Sequence, residues 1–173
     1  GRGMSLQENV ATDARGALFD VLDGVRAGML GLTAGGDGFR PMTHFPDRDS
    51  GLIWFISSTD TDLVQSLGMG EDADYVVISE DHDLHASLRG KLYQLRDDAK
   101  LDELWSTVVA AWFEGGRNDP RVALLRFDPA VAEVWASSTS TLKFGFEILR
   151  ATLDPGHRPD IGVKATVRFP PST

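Results

Sequence analysis

The stretch Gly51–Met69, GLIWFISSTDTDLVQSLGM, changes from an apolar run to a polar turn and then to a second apolar run. Residues 52–56 are rich in β-branched and aromatic side chains and predict a buried strand. The hydroxyls and carboxylates at 57–62 can cap a short helix that continues to Leu67. A strand that turns into a helix start is suited to binding an anion, because free N–H groups and the helix dipole favour negative charge. The same pattern also fits a capped connection without a ligand, and both interpretations stay open.

The composition is typical of one soluble globular domain. The 173 residues carry a formal charge of −9, with 42% hydrophobic and 25% charged residues, as is ordinary for such a chain. An acidic chain is a poor partner for nucleic acid or an anionic membrane, and no apolar run approaches the ~20 residues of a membrane span. The absence of cysteine excludes disulfides, thiol catalysis and cysteine metal sites. We expect a cytoplasmic protein.

Two terminal segments are expected to lie outside this domain. Gly1-Arg2-Gly3 ahead of Met4 is typical of residues left by an expression vector, so residues 1–7 are interpreted as that remnant and an N-terminal tail. Residues 154–173 are rich in Pro, Arg and Gly and predict an extended C-terminal tail. The domain itself is expected over residues 8–153.

Hydrophobic patterning predicts a mainly β fold with flanking helices. The helix-like runs are residues 13–24, 97–115 and 141–153, besides the short helix after residue 62. The strand-like runs are residues 27–33, 39–45, 52–56, 73–79, 84–95, 122–127 and 130–135. Strands this close in sequence pair mainly as hairpins, and closure into a barrel removes exposed edges. We therefore expect a six- to seven-stranded antiparallel barrel.

A few side chains suit chemistry better than packing. Arg40 is the strongest candidate, because a charged residue beside Pro41, which marks a strand edge, is hard to explain as core. His44 on the same strand is interpreted as a half-buried structural histidine. His82 and His85 are three positions apart and suit neither face of one strand, so an acidic surface turn explains them and no metal site is predicted.

Seven short motifs follow one another in a characteristic order. They are RPM at 40–42, LIWF at 52–55, YVVIS at 75–79, SLRG at 87–90, AAWFEGG at 110–116, DPRVALLRF at 119–127 and AEVW at 132–135. Together they resemble the FMN-binding split-barrel proteins, the pyridoxamine 5′-phosphate oxidase-like family, and within it the general stress protein 26 type. The likeness covers roughly residues 18–135.

The resemblance implies a split β-barrel with Greek-key-like connections that forms a homodimer, with FMN sites at the interface. It implies a flavoprotein and a flavin-dependent oxidoreductase that acts with a small-molecule redox partner, without nucleic acid or membrane. It does not identify the substrate or a catalytic residue.

The resemblance also implies which residues contact the cofactor. Along the flavin would lie Arg40, Pro41 and Met42. Beside the ring system and the ribityl chain would lie Phe55, Ile56, Ser57 and Ser58, and the phosphate would meet the hydroxyl of Thr61. The ring would be approached by Trp135 of the partner subunit, with Trp112 nearby.

The chain departs from the family pattern at one point. After the hydroxyl that corresponds to Thr61 the family usually has basic residues, whereas this chain has Asp62 and Leu63. A carboxylate repels a phosphate dianion and leucine offers no donor, so Arg40, together with Arg89 or Lys91, is expected to supply the positive charge. The alternatives are weakened FMN binding, exchange for another cofactor such as the deazaflavin F420, or a non-catalytic dimeric stress protein that has lost FMN.

Overall fold

One curled antiparallel sheet with short helices makes up the protein in the computed structural model, which describes residues 6–35, 37–137, 153, 156 and 162–171. The strands are β1 Ala27–Leu32, β2 Arg40–Thr43, β3 Phe45–Asp47, β4 Leu52–Ser58, β5 Glu71–Ile78, β6 Leu84–Leu95, β7 Val122–Ser137 and β8 Gly162–Arg168. The helices are α1 Leu6–Thr12, α2 Ala14–Gly24, α3 Asp62–Gln65, α4 Asp98–Leu104 and α5 Thr107–Ala110, followed by a 3₁₀ turn at Gly116–Asn118. In this part of the chain no helix has the length and apolar character needed to cross a membrane.

The sheet order places two strands that are neighbours in the chain at opposite ends. The order is β2-β1-β5-β6-β7-β4-β3, and β8 pairs with β7 outside this path. The chain passes from β2 to β3 through the single residue His44, so the two ends of the sheet must curl toward each other. The predicted mainly β, antiparallel split barrel is therefore confirmed.

Strand β4 explains why the opening stretch is apolar without alternation. Ile53 and Phe55 belong to the main core inside the barrel, whereas Trp54 and Ile56 belong to a second apolar cluster under α4 and α5. A strand covered on both faces has no polar side to show, so its sequence is a continuous apolar run.

Four predicted elements differ from the structure in their boundaries. The expected strand 39–45 is interrupted at His44, and the two strands expected on either side of Asp128-Pro129 form the single strand β7. The helix expected over 97–115 is divided, because Trp105 is extended and the Ser106 hydroxyl accepts a hydrogen bond from Val109 N at 3.3 Å to begin α5. The helix expected over 141–153 falls almost wholly outside the described residues.

The C-terminal segment is part of the sheet. Strand β8 is extended as expected, but it pairs with β7 from Val131↔Arg168 to Ser137↔Gly162, and Val167 is buried in the main core. A domain that ends at residue 153 would lack this strand, which belongs to the same sheet as the rest of the fold. The strand alternates exposed and covered residues, and the surrounding Pro and Gly concealed that short pattern.

Buried His44 holds the point at which the chain leaves β2 and enters β3. Its Nε2 lies 2.7 Å from the carbonyl oxygen of Leu22 and 2.8 Å from that of Val25, at the C-terminal end of α2. Its Nδ1 lies 2.5 Å from the hydroxyl of Tyr75, which is also 3.1 Å from the carbonyl oxygen of Met42. Burial lowers the pKa of His44, against the opposing effects of the two carbonyls and of Asp23. A neutral imidazole that donates from Nε2 to the α2 carbonyls accepts at Nδ1, and the single hydrogen of the Tyr75 hydroxyl then serves either Nδ1 or the Met42 carbonyl.

A glycine is required at position 90, where the backbone of β7 comes close to β6. The ladder shifts register between Arg89 and Gly90, and a Cβ on Gly90 would lie 2.1 Å from the carbonyl oxygen of Asp128. We expect Gly90→Ala to lower the free energy of unfolding by about 1–3 kcal/mol, because backbone cannot move aside easily. Urea denaturation measures this, and Gly24→Ala, where a Cβ meets nothing within 4 Å, is the control with little or no loss. Equal stability of the two variants would contradict the close contact.

The buried His44 predicts a specific acid sensitivity. Because its folded pKa lies below the ordinary 6.5, the unfolded chain takes up the proton first, and stability present above pH 6.5 is lost as the pH falls toward the folded value. We expect the free energy of unfolding to decline between pH 7.5 and 5, with a smaller slope in His44→Gln. His85→Gln, at an exposed position, should keep the wild-type slope. An unchanged slope in His44→Gln would rule out this origin.

Candidate functional site

Arg40 and the turn after β4 come together at a small cavity. Arg40 begins β2 and is half-buried, and it lines a space of about 40 Å³ together with Leu63 and Ser66 of the α3 region. Asp37 also lines this space, yet among the described residues the Arg40 guanidinium makes no hydrogen bond or ion pair. Because charged groups that leave water are normally paired, this arginine is available for an anion.

A wider cleft opens at the other end of β2. It has a volume of about 320 Å³, and its wall includes Thr43, His44, Phe45, Val108 and Trp112. Trp112 is 46% exposed, as expected for a residue on the wall of an open cleft. Between this cleft and Arg40 lie the exposed Pro41 and the half-buried Met42. The strand edge that the sequence predicted therefore joins a cation at one end to an aromatic cleft at the other.

Arg26 is a site residue that sequence reasoning missed. It lines the same cleft as Trp112 and is exposed. It stands immediately before β1 as a single charged residue in an unremarkable context, so the sequence carries no signal for it. Its position adds a cation to a mainly apolar wall.

The side chains of Phe55 and Ile56 are committed to packing. Phe55 is fully buried and lies edge-to-face on Tyr75, with ring centroids 5.0 Å apart, while Ile56 is 5% exposed in the second cluster. Only their backbone can approach a ligand directly. Ser57 and Ser58, at the end of β4, are half-buried, so the strand offers hydroxyls only there.

Thr61 is the N-cap of α3, as the hydroxyl-rich turn predicted. Its Oγ1 accepts from Val64 N at 3.2 Å and donates to the carbonyl oxygen of Ser58 at 2.8 Å. Asp62 is exposed in the first turn of this four-residue helix, and Leu63 is 3% exposed in the main core. The capped-connection interpretation thus describes the local geometry.

Arg121 is the cation that lies against this turn. Its carbonyl oxygen accepts from Thr59 N at 2.8 Å, and its guanidinium makes two hydrogen bonds to Asp119, at 3.2 and 2.9 Å. These bonds hold the pKa of Asp119 well below its usual range, helped by donation from Gly115 N. The charge of Arg121 is therefore largely used within the chain. Arg89 is likewise paired, through Nε to Asp74 at 2.9 Å, at an exposed position on β6.

Trp135 lies on the outer face of the sheet, three strands away from β1 in the sheet order. It is 41% exposed, is paired with His85 on β6 and Lys164 on β8, and carries the Lys164 ammonium 5.6 Å from its ring centroid. The structure of one chain does not bring it to Arg40 or Trp112.

A larger cavity of about 500 Å³ lies elsewhere, where β6 meets α4. Its carboxylates include Asp97, which caps α4 through Lys100 N, and Asp119, which is held by Arg121. These groups have structural partners, and none of the predicted site residues lines this cavity. No cluster of three potential metal ligands occurs among the described residues.

Comparison with known proteins identifies relatives. The family described as "Pyridoxamine 5′-phosphate oxidase like" matches residues 13–160. A general stress protein 26 from Jannaschia sp. CCS1 is 40% identical, with 91% of this chain and 99% of that chain covered and a TM-score of 0.74. The general stress FMN/FAD binding protein from Xanthomonas citri is also 40% identical, with 75% and 92% covered and a TM-score of 0.70. No curated protein matches the chain.

A more distant structure shares the fold. A protein related to general stress protein 26 from Clostridium acetobutylicum is 18% identical, with 70% of this chain and 87% of that chain covered and a TM-score of 0.61. The family match spans most of the chain, and the order of elements agrees with the resemblance found in the motifs. The chain belongs to the pyridoxamine 5′-phosphate oxidase-like family and is similar to its general stress proteins.

Proposed function

We propose that this protein is a dimeric flavin-binding protein that takes FMN along β2, with flavin-dependent redox chemistry toward a small molecule. The observation that carries the proposal is the half-buried Arg40, which faces the cavity beside α3 without a partner among the described residues. A guanidinium presents a planar fork that suits a phosphate. The similarity to the FMN/FAD binding protein from Xanthomonas citri supports the same ligand class.

The cleft at the other end of β2 suits the ring system of a flavin. Ligand pockets commonly have volumes of about 300–1,000 Å³ with mainly apolar and aromatic walls, and this cleft has about 320 Å³ with Trp112, Val108 and Phe45 on its walls. Between the two ends, the edge of β2 offers backbone groups to the middle of the ligand. The donor set thus fits a long, flat molecule with an anionic end.

We assign binding and orienting roles to the described residues of the site. A bound flavin would supply the redox chemistry. Among the titratable residues of the cleft wall, His44 is buried. Both of its ring nitrogens are engaged, one by carbonyls of α2 and the other by Tyr75. We therefore assign it to holding β2 in place, and we assign no proton donor.

Removal of the Arg40 side chain tests the proposed phosphate contact. We expect Arg40→Ala to weaken FMN binding about tenfold or more, because a hydrogen bond to a charged group is worth about 1.5–3 kcal/mol and each 1.4 kcal/mol is a factor of ten. Quenching of tryptophan and flavin fluorescence during titration with FMN measures the dissociation constant. F420 is titrated in parallel. If the protein binds F420 more tightly than FMN, the proposed cofactor is F420 and not FMN.

Arg96→Ala is the matched control for this experiment. Arg96 is an exposed arginine that lines the larger cavity near α4, so its removal should leave FMN affinity unchanged. Loss of binding in Arg96→Ala with normal binding in Arg40→Ala would instead place the flavin in the larger cavity.

The proposed dimer predicts a role for Trp135. We expect sedimentation to give twice the chain mass of 18.8 kDa, and Trp135→Ala to weaken both self-association and FMN binding, because an exposed aromatic side chain is a typical interface anchor. Met69→Ala, at a 99% exposed position, serves as the control. A monomer that binds FMN normally would contradict the interface site.

A further inference from the structure

The hydroxyls of the β4–α3 turn are engaged within the turn. The Ser58 hydroxyl donates to Asp60 Oδ1 at 2.6 Å, and the Thr61 hydroxyl donates to the carbonyl oxygen of Ser58 at 2.8 Å. Each hydroxyl has a single hydrogen, so neither can donate to a phosphate unless these bonds break. The backbone N–H groups of Thr59, Thr61 and Val64 are engaged as well. These five donors of the apparent anion cradle are therefore already in use.

The charges at this turn oppose an anion. Asp60 and Asp62 are both exposed, and Asp60 interacts electrostatically with Arg121. That arginine is held by Asp119, and Glu114 also lies near it, so the surroundings have a surplus of carboxylates. Two like charges a few ångströms apart repel by about 1 kcal/mol in water and by several times more where water is partly excluded.

Leu63, the second residue at which the chain departs from the family pattern, is needed for core packing. Leu63 is 3% exposed and packs in the main core with Phe55 and Val64 of the same stretch. A lysine there would bury its charge or displace the helix. The turn therefore cannot recover a cation at this position without loss of core packing, whereas the exposed Asp62 is free to change.

We propose that Asp62, supported by Asp60, is a specificity-determining residue that keeps the phosphate end of the flavin weakly held, so that this protein exchanges FMN instead of retaining it. This inference rests on the proposed flavin function. Arg40 would attract the phosphate in the cavity that it lines with Leu63, and the exposed carboxylate of Asp62, the residue directly before Leu63, would oppose it. The result is a carrier-like site with fast release rather than a resident cofactor.

A graded charge series at Asp62 tests the proposal. We expect Asp62→Asn to bind FMN about threefold more tightly and Asp62→Lys about tenfold or more tightly, since repulsion is first removed and then reversed. The slower release should appear in stopped-flow experiments in which an excess of a ligand-free flavin-binding protein captures the FMN that dissociates. Both variants should fold, because loss of an acidic residue in the first turn of α3 removes only a small favourable interaction with the helix dipole. Circular dichroism checks this.

Asp49→Lys is the control for net charge. It makes the same change of two charge units at an exposed turn residue before β4, at the opposite end of a seven-residue strand, and should leave FMN affinity unchanged. Unchanged or weaker FMN binding in both Asp62 variants would overturn the proposal, as would wild-type protein that keeps stoichiometric FMN through gel filtration. Absence of FMN binding in every variant would refute the proposed function itself.

Discussion

The hydrogen bonds of His44 join the two ends of the curled sheet. Its backbone N–H donates to the carbonyl oxygen of Arg26 at 3.1 Å beside β1, and the next residue, Phe45, pairs with Trp54 of β4. At this single position the chain changes from one sheet end to the other. The buried ring holds the chain in place where it passes from β2 to β3, because its two nitrogens have hydrogen-bond partners only when the end of α2 and Tyr75 are both in position. The cleft with Trp112 exists because His44 and its neighbours form its floor at that seam.

Burial on both faces of β4 determines where a ligand can be bound. The central residues of the strand fill two apolar clusters, so contacts with the proposed ligand would come from its end and from the edge of β2. At the end of β4, the Thr61 hydroxyl caps α3 and donates to the carbonyl oxygen of Ser58, and the Ser58 hydroxyl donates to Asp60. Stability of the turn and affinity for an anion thus draw on the same few donors. Arg40, which has no ion-pair partner among the described residues, is the cation that would favour an anion there.

Much of the fold could be predicted from local pattern. The alternation in β6 and the continuous apolar run of β4 gave the correct strands, and the capping role of Thr61 follows from a hydroxyl ahead of an apolar helical run. The break at His44 could not be predicted, because nothing local shows that the next residue pairs with a distant strand. The continuity of β7 through Pro129 was also hidden, since it depends on Gly90 in the opposing strand.

The sequence by itself determined the barrel class, the family motifs and the identity of Arg40 as a charge without a packing role. It also placed Asp62 and Leu63 at positions where the resemblance implies basic residues. Only the tertiary structure decided that Arg40 faces α3 while Arg89 is paired with Asp74, and that Leu63 is core. The physical reason is that residue types and periods are local properties, whereas the availability of a charge or a hydroxyl depends on partners brought from distant parts of the chain.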